Sequence, residues 1–377
     1  MEAYLDNSAT TCLCSSAKER MVEAINKYYG NPSSLHSVGT AAQRQLDAAR
    51  SAVAKSLSCE AEEIVFTGSG TLANNAAVFG AAHALRRRGN RIVTTCVEHP
   101  SVSECMAQLE KEGFEVIYLK VDKCGRISKS ELMQAVNSKT ILVSLMYVNN
   151  EVGSIMPVET ARLAVKKAGA PALIHCDAVQ AYGKLPIKPS RLGVDLMSAS
   201  AHKINGPKGV GFLYVRKGVR LMPYIFGGNQ EGKIYSGTQP MPAIMGLHGA
   251  IEELPDLTVQ LEKTTALRDY LVQEARKING IVINSGDEAL PYIVNLSAVG
   301  HPSQTMLNYL SDSGVYVSGG SACSKGHRSK VLTAMGTEPE RIDSALRISL
   351  SRFTTREEID MFLCALENGV NTLRKKK

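Results

Sequence analysis

From about residue 63 to residue 215 the chain alternates short apolar runs with longer helical stretches, and that rhythm limits the folds open to it. Glu63–Thr67, Arg91–Thr95, Glu115–Leu119, Thr140–Leu145, Ala172–Cys176, Val194–Ala199 and Val210–Val215 read as strands. Leu72–Arg87, Ser101–Lys111, Ser128–Asn137 and Val158–Lys167 read as helices between them. The pattern predicts an α/β fold: a mostly parallel seven-stranded sheet sandwiched by helices.

Ahead of this region, Ser16-Ala17-Lys18-Glu19 fits a capping box, and Met21, Ala24, Ile25 and Tyr28 mark one face of a first helix. Gly30 and Pro32 stop it. Behind it, the pattern changes after Gly246–Leu254. Pro255 and a polar helical stretch (Asp256–Lys277) precede candidate strands Tyr292–Leu296, Val315–Ser318 and Leu346–Ser349, predicting a smaller α+β domain. The expected division is a large domain over 15–254 and a small one from 1–14 with 255–377. No internal repeat or low-complexity segment interrupts either.

A chain of 377 residues has room for two cores. The opening Met1-Glu2-Ala3-Tyr4-Leu5-Asp6 lacks the regions of a signal peptide, and the longest apolar runs are strand-length, so neither secretion nor a membrane span is expected. Nine scattered cysteines, an odd number, argue against a disulfide framework and for a reducing cytoplasm. Four of the seven net positive charges sit in Arg374-Lys375-Lys376-Lys377, leaving three for the rest. With 5% aromatic residues, no Trp and no basic-aromatic stripe, direct nucleic-acid binding is not expected. Cys12-x-Cys14 is not zinc spacing and nothing completes it, so no metal site is predicted.

The residues that carry chemistry stand at strand ends. In Ser198-Ala199-Ser200-Ala201-His202-Lys203-Ile204-Asn205-Gly206-Pro207-Lys208-Gly209, Lys203 follows an apolar strand and precedes glycine-rich backbone. An amine so placed is either a solvated turn lysine or a buried group able to lose its proton and condense with an aldehyde. Thr67-Gly68-Ser69-Gly70-Thr71 lies between strand and helix, where backbone N–H groups and the Thr71 hydroxyl suit a phosphate. The run also matches G-x-G-x-x-A, but Arg86-Arg87-Arg88 stands where a dinucleotide site wants an acidic residue. That weakens NAD and leaves NADP open, beside a plain tight turn.

Asp177 ends the run Leu173-Ile174-His175-Cys176, at the edge where α/β ligands bind. It could keep a pyridine nitrogen protonated, with Gln180 on a ring oxygen; the plainer reading is a helix N-cap. His99, in Glu98-His99-Pro100, could lie on an aromatic ring and shuttle protons, or be a structural histidine. Asn149-Asn150-Glu151-Val152-Gly153 offers amides to a ligand, or makes an ordinary turn. Arg347, in an alternating strand, could clamp a carboxylate or make a surface ion pair. In Val317-Ser318-Gly319-Gly320-Ser321-Ala322-Cys323-Ser324-Lys325-Gly326-His327-Arg328, the basic residues would favour a reactive Cys323 thiolate. Cys364, beside Phe362 and Leu363, reads as a packing cysteine by contrast.

Taken in order, these motifs resemble the cysteine desulfurases of the class V aminotransferase family, fold-type I enzymes that use pyridoxal 5'-phosphate. The likeness runs from Tyr4-Leu5-Asp6-Asn7-Ser8-Ala9-Thr10-Thr11, through Gly30-Asn31-Pro32-Ser33-Ser34-Leu35-His36, to Ser351-Arg352-Phe353-Thr354-Thr355. Ser200-Ala201-His202-Lys203 and Gly320-Ser321-Ala322-Cys323 carry it most specifically.

The resemblance implies that Lys203 holds the cofactor as a Schiff base, Asp177 pairs with the ring nitrogen, Gln180 meets the ring oxygen and His99 stacks on the ring. It implies a phosphate site of Gly70, Thr71, Ser200 and His202, joined by Thr238 from the other subunit of a homodimer. Asn150 and Arg347 would hold the carboxylate of L-cysteine. Cys323, on a loop of the longer and more mobile type, would take the sulfur as a persulfide and leave alanine. A sulfur-acceptor protein, an iron–sulfur scaffold or a tRNA thiolase, would receive it. Departures from the usual pattern are Leu72 for Glu, Tyr235 for Arg before Ser236-Gly237-Thr238, Ser351 for Gly and Cys12 for Pro. The alternatives are a class V enzyme acting on another amino acid by transamination or β-elimination and, more distantly, a catalytically silent sulfur-transfer scaffold.

Overall fold

The computed structural model describes residues 2–319 and 328–374. Its strands, in chain order, are β1 (Ala3–Tyr4), β2 (Ile64–Thr67), β3 (Arg91–Thr95), β4 (Glu115–Leu119), β5 (Thr140–Met146), β6 (Leu173–Asp177), β7 (Leu196–Ser200), β8 (Gly211–Val215), β9 (Ile281–Ile283), β10 (Ile293–Ala298), β11 (Val315–Tyr316) and β12 (Ala345–Ser349). Strands β2 to β8 are the seven expected ones. They form one sheet in the order β2-β8-β7-β6-β5-β3-β4, with β8 antiparallel to both its neighbours and every other pairing parallel.

Side-chain alternation along the strands separates two cores. Phe66, Val93, Val143, Met197 and Phe212 face one helical layer, and their neighbours Val65, Ile92, Leu142, Leu196 and Leu213 face the other. Helices Gly70–Leu85 and Pro100–Lys111 cover the second face through Ala73, Ala77, Ala81, Val102 and Met106. The first face is covered chiefly by Ser37–Leu57, Glu159–Ala168 and Met241–Glu252. A third core, built on Leu271, Leu296, Met306, Leu346, Ile348 and Phe362, joins the antiparallel sheet β12-β10-β9 to helices Leu257–Ala275, Ser303–Asp312 and Arg356–Thr372. The chain start belongs to it: β1 pairs in parallel with β11, and Leu5 is fully buried there.

Three local expectations are corrected. The capping box at Ser16 does not form; the helix runs Ser15–Lys27 with Cys14 as N-cap, and the Ser16 N–H donates instead to Glu253 Oε2 at 2.9 Å. A carboxylate distant in sequence has taken the cap's place. On that helix Ala17 and Ala24 are buried, whereas Ile25 is exposed. Cys364 is exposed rather than packed, because Phe362, Leu363 and Leu366 turn the other face of their helix inward. The helix Ser37–Leu57 was not among the expected elements. Its buried face, Gly39, Ala42, Leu46, Ala49, Val53, Ala54 and Leu57, is largely small residues, which blurs the apolar period.

The connections place the site. From β3 the chain runs outward to β4, then crosses back beyond β3 to β5 and onward to β6 and β7. Strand order therefore reverses between β3 and β5, and the crevice at the carboxyl ends of such strands is where open α/β sheets bind ligands.

Candidate active site

A cavity of about 520 Å³ opens at that reversal. Gly70, Thr71, His99, Asn150, Asp177, Gln180, Ser200, His202, Lys203 and Arg347 all line it. Thr238 does not; it is exposed on the segment after the single-turn helix Gln230–Lys233. Cys323, with Lys325 and His327, lies outside the described residues. The residues on either side of that segment reach the rim: Ser318 pairs with Arg347, Arg328 lines the cavity, and Ser329 Oγ donates to Glu151 Oε2 at 2.5 Å.

Lys203 ends a single 3-10 turn, Ala201–Lys203, that follows β7 directly. Its Nζ donates to the Ser8 carbonyl at 2.5 Å and the Ala9 carbonyl at 2.7 Å. The stretch 8–11 crosses over this turn, for Thr11 donates to the His202 carbonyl through both N–H and hydroxyl. His202 Nδ1 meets Thr10 Oγ1 at 3.2 Å, and burial, then the Lys203 charge, push its pKa down to about 4. The amine is thus held at the cavity wall, and the reading of Lys203 as a solvated turn residue is excluded.

Asp177 is the last residue of β6. Its Oδ1 accepts from the Val179 N–H at 3.0 Å and its Oδ2 from Asn74 Nδ2 at 2.8 Å. Asn74 gives its other hydrogen to Ser101 Oγ at 2.8 Å, and Ser101 Oγ lies 2.8 Å from His99 Nδ1. The Ser101 N–H also donates to His99 Nδ1, at 3.1 Å, which leaves the neutral ring's proton on Nε2. Burial lowers the His99 pKa against the pull of Asp177, with Lys203 reinforcing burial. His99 is therefore both the N-cap of Pro100–Lys111 and a cavity wall.

At the mouth of the helix Gly70–Leu85, Ser69 Oγ caps the Leu72 N–H at 3.1 Å, while Gly70 and Thr71 line the cavity. A Cβ on Gly70 would meet Val179 Cγ2 at 2.9 Å and Ser200 Cβ at 3.1 Å, so glycine lets three loops close on one point. Opposite, Arg347 is 2% exposed and is held by the Asn150 carbonyl and Asp6 Oδ1, both at 2.9 Å. The ion pair is buried on the arginine side, not the surface pair weighed above.

Among the described residues, four buried polar atoms of cavity-lining residues lack a hydrogen-bond partner: Ser8 Oγ, Asn74 Oδ1, Glu98 Oε2 and Arg347 Nε. Orphans gathered in one cavity mark a place built for a polar ligand. The set suits pyridoxal phosphate with an amino-acid substrate: an amine for the aldehyde, a carboxylate for the basic ring nitrogen, a helix start for the phosphate and a guanidinium for the substrate's carboxylate.

Sequence reading missed several contributors. Ser8 and Ala9 act through carbonyls, which no side-chain motif can announce. Asn74 was detectable as a polar residue in the apolar helix interior. Asp6 and Ser101 carried no local sign of their role. Asn149 organises the turn itself, accepting from the Glu151 and Val152 N–H groups, and leaves Asn150 to the cavity.

Comparison with known proteins gives one consistent result. The family model for class-V aminotransferases matches residues 3–362. A protein named cysteine desulfurase IscS, from Dictyoglomus turgidum, is 39% identical over 378 residues, covering 99% of this chain and 95% of its own. A putative cysteine desulfurase IscS 1 from Bacillus subtilis is 40% identical over 94% of this chain and 95% of its own. Among solved structures, a NifS-like protein superposes with a TM-score of 0.94 at 39% identity, over 99% of this chain and all of that one. A structure described as SspA in complex with cysteine superposes at 0.83 with 31% identity, over 94% and 100%.

Proposed function

Because the chain belongs to the class-V aminotransferase family, we propose that it is a pyridoxal phosphate-dependent cysteine desulfurase working with the residues gathered in this cavity. The observation that carries the reading is the sharing of one cavity by the Lys203 amine, the Asp177 carboxylate and the Arg347 guanidinium. Lys203 would hold the cofactor's aldehyde, Asp177 its ring nitrogen and Gln180 its ring oxygen. Gly70, Thr71, Ser200 and His202 would hold its phosphate, and His99 would lie against its ring. When bound, pyridoxal phosphate withdraws electrons from the substrate's α-carbon.

The protein's own groups do the rest. Arg347, fixed by Asp6 and the Asn150 carbonyl, would hold the substrate carboxylate, beside Asn150. Lys203, flanked by the Ser8 and Ala9 carbonyls, takes the α-proton and returns a proton to the same carbon before alanine leaves. His99, with Nδ1 occupied by Ser101, presents its proton at Nε2. The Cys323 thiolate attacks the substrate sulfur: an S–S bond forms, the substrate Cβ–S bond breaks with its electron pair left on carbon, and a proton equivalent to that of the substrate thiol ends on Cβ. The products are alanine and a Cys323 persulfide.

Three finer readings accompany this one. The chain divides into a large domain, 15–254, and a small domain, 1–14 with 255–377; the separate core around Leu5, Leu346 and Phe362 supports it. It works as a homodimer in which Thr238 of one subunit completes the other's phosphate site; the exposure of Tyr29, Leu35 and Phe226 supports a covering partner. The persulfide passes to an acceptor protein, an iron–sulfur scaffold or a tRNA thiolase, in the cytoplasm. No helix among the described residues is long and apolar enough to cross a membrane.

The test is to incubate the holoenzyme with L-cysteine and measure alanine together with the mass of the Cys323 peptide. Alanine should appear with a 32-Da-class sulfur adduct on Cys323 at roughly one per site. Undiminished alanine formation by Cys323→Ala would overturn the persulfide step.

A further inference from the structure

Lys184 is a buried lysine that the proposed mechanism does not use. It lies four residues beyond Gln180 in the turn after β6, 5% exposed, its Nζ 5.7 Å from the centre of the Tyr292 ring. It reaches no carboxylate among the described residues; its Nζ donates to Gln180 Oε1 at 3.0 Å. Desolvating an amine for one neutral acceptor is costly, so what that bond fixes matters.

The bond fixes the rotation of the Gln180 amide. Gln180 Nε2 donates to the Ser8 carbonyl at 3.0 Å, and a carbonyl only accepts, so the nitrogen end must face Ser8. Lys184 supplies N–H at the oxygen end whether it is an ammonium or an amine. The second Nε2 hydrogen is then left for the cavity that Gln180 lines. The same Ser8 carbonyl receives Lys203 Nζ, so the clamp borders the reactive amine.

We propose that Lys184 is a positioning residue: by holding Gln180 Oε1 it presents the Gln180 NH₂ group to the ring oxygen of pyridoxal phosphate. The inference rests on the reading of this cavity as the cofactor site. The lowering of the Lys184 pKa to about 7, by burial first and then by Lys203 and Arg347, agrees with a buried amine close to the site's cations. A lysine placed only to prop the turn would affect folding and leave the cofactor's surroundings unchanged.

A double-mutant cycle separates the two. Wild type, Lys184→Met, Gln180→Ala and the double variant are each titrated with pyridoxal phosphate, and the visible absorption band of each holoenzyme is recorded. Each single change should weaken cofactor binding about tenfold, the scale of one hydrogen bond, and the double change also about tenfold, since both delete the same interaction. Lys184→Met should shift the band in the direction that Gln180→Ala shifts it. A multiplicative loss near a hundredfold, or a Lys184→Met holoenzyme with wild-type affinity and band, overturns the role. If Lys184→Met does not fold, Lys184→Gln, too short to reach Gln180 Oε1, takes its place in the cycle. A wild-type protein without a Lys203-dependent band overturns the cofactor reading itself, whereas an intact band with independent variants overturns only the role of Lys184.

Discussion

Asn74 Nδ2 donates to Asp177 Oδ2 at 2.8 Å, joining the helix that starts at Gly70 to the end of strand β6. The same nitrogen donates to Ser101 and through it reaches His99, so one amide orients both groups expected to face the cofactor ring. Both residues of the pair are buried, where a hydrogen bond to a charged group contributes about 1.5–3 kcal/mol.

Asn74→Ala should accordingly lower desulfurase turnover by about tenfold to a hundredfold, on that energy scale, while the protein remains folded. The check is kcat for alanine formation at saturating cysteine. A variant with undiminished kcat would remove Asn74 from the site's support.

Arg347 and Asp6 make a second test, because the arginine is buried and its guanidinium donates to an aspartate from the chain start as well as to the Asn150 carbonyl. Asp6→Ala leaves the guanidinium without its counter-charge and should destabilise the fold by about 3 kcal/mol, the low end for a broken buried pair since Asp6 is partly solvated. Asp6→Asn, which keeps an acceptor, should recover part of that loss. Urea unfolding of the two variants measures the difference, and equal midpoints for Asp6→Ala and wild type would refute the coupling.

Glu98 predicts a pH dependence. Burial, opposed by hydrogen bonds from Met146 and Thr95 and reinforced by Asp177, pushes its carboxyl from 4.5 to about 8. A folded-state pKa above the unfolded one means that the contribution to stability is complete below about pH 4.5. It declines as pH rises toward 8, because the unfolded state gives up its proton first. The slope is about 1.4 kcal/mol per pH unit within that window. Glu98→Gln should flatten unfolding free energy between pH 5 and pH 8 by about that slope. Parallel pH profiles for variant and wild type would contradict a protonated Glu98.

Gly70→Ala tests the proposed phosphate cradle. The added methyl meets Val179 Cγ2 at 2.9 Å and Ser200 Cβ at 3.1 Å, neither of them the end of a long flexible chain. Those loops must part, at a cost of about 1–3 kcal/mol, and affinity for pyridoxal phosphate should fall about tenfold or more. Titration of apoenzyme with the cofactor reads it directly. Wild-type affinity would show that the wall can yield without harm.

Where sequence reading worked, the residues signalled their own environment. Ile141 to Leu145 and Leu196 to Ala199 lie between two helical layers, so their apolar runs announce buried strands without help from distant partners. His99 and Lys203 follow such strands within a few residues and Asp177 ends one, and a strand's end determines where its next residues point. The helix Ser37–Leu57 escaped notice because alanine buries as readily as leucine yet leaves little trace in an apolar pattern.

By itself, then, the sequence determined the seven-stranded sheet and several of the side chains that line the cavity at its carboxyl edge. Only the tertiary structure decided how they are held. The carbonyls of Ser8 and Ala9 on Lys203, 195 and 194 residues away, Asp6 on Arg347, 341 away, and Asn74 on Asp177, 103 away, join positions with no local relation. The physical reason is that strands and helices follow from short-range periodicity and burial. A hydrogen-bond partner is chosen by whichever donor or acceptor the fold brings within about 3 Å, and a backbone carbonyl that is chosen leaves no mark on the sequence.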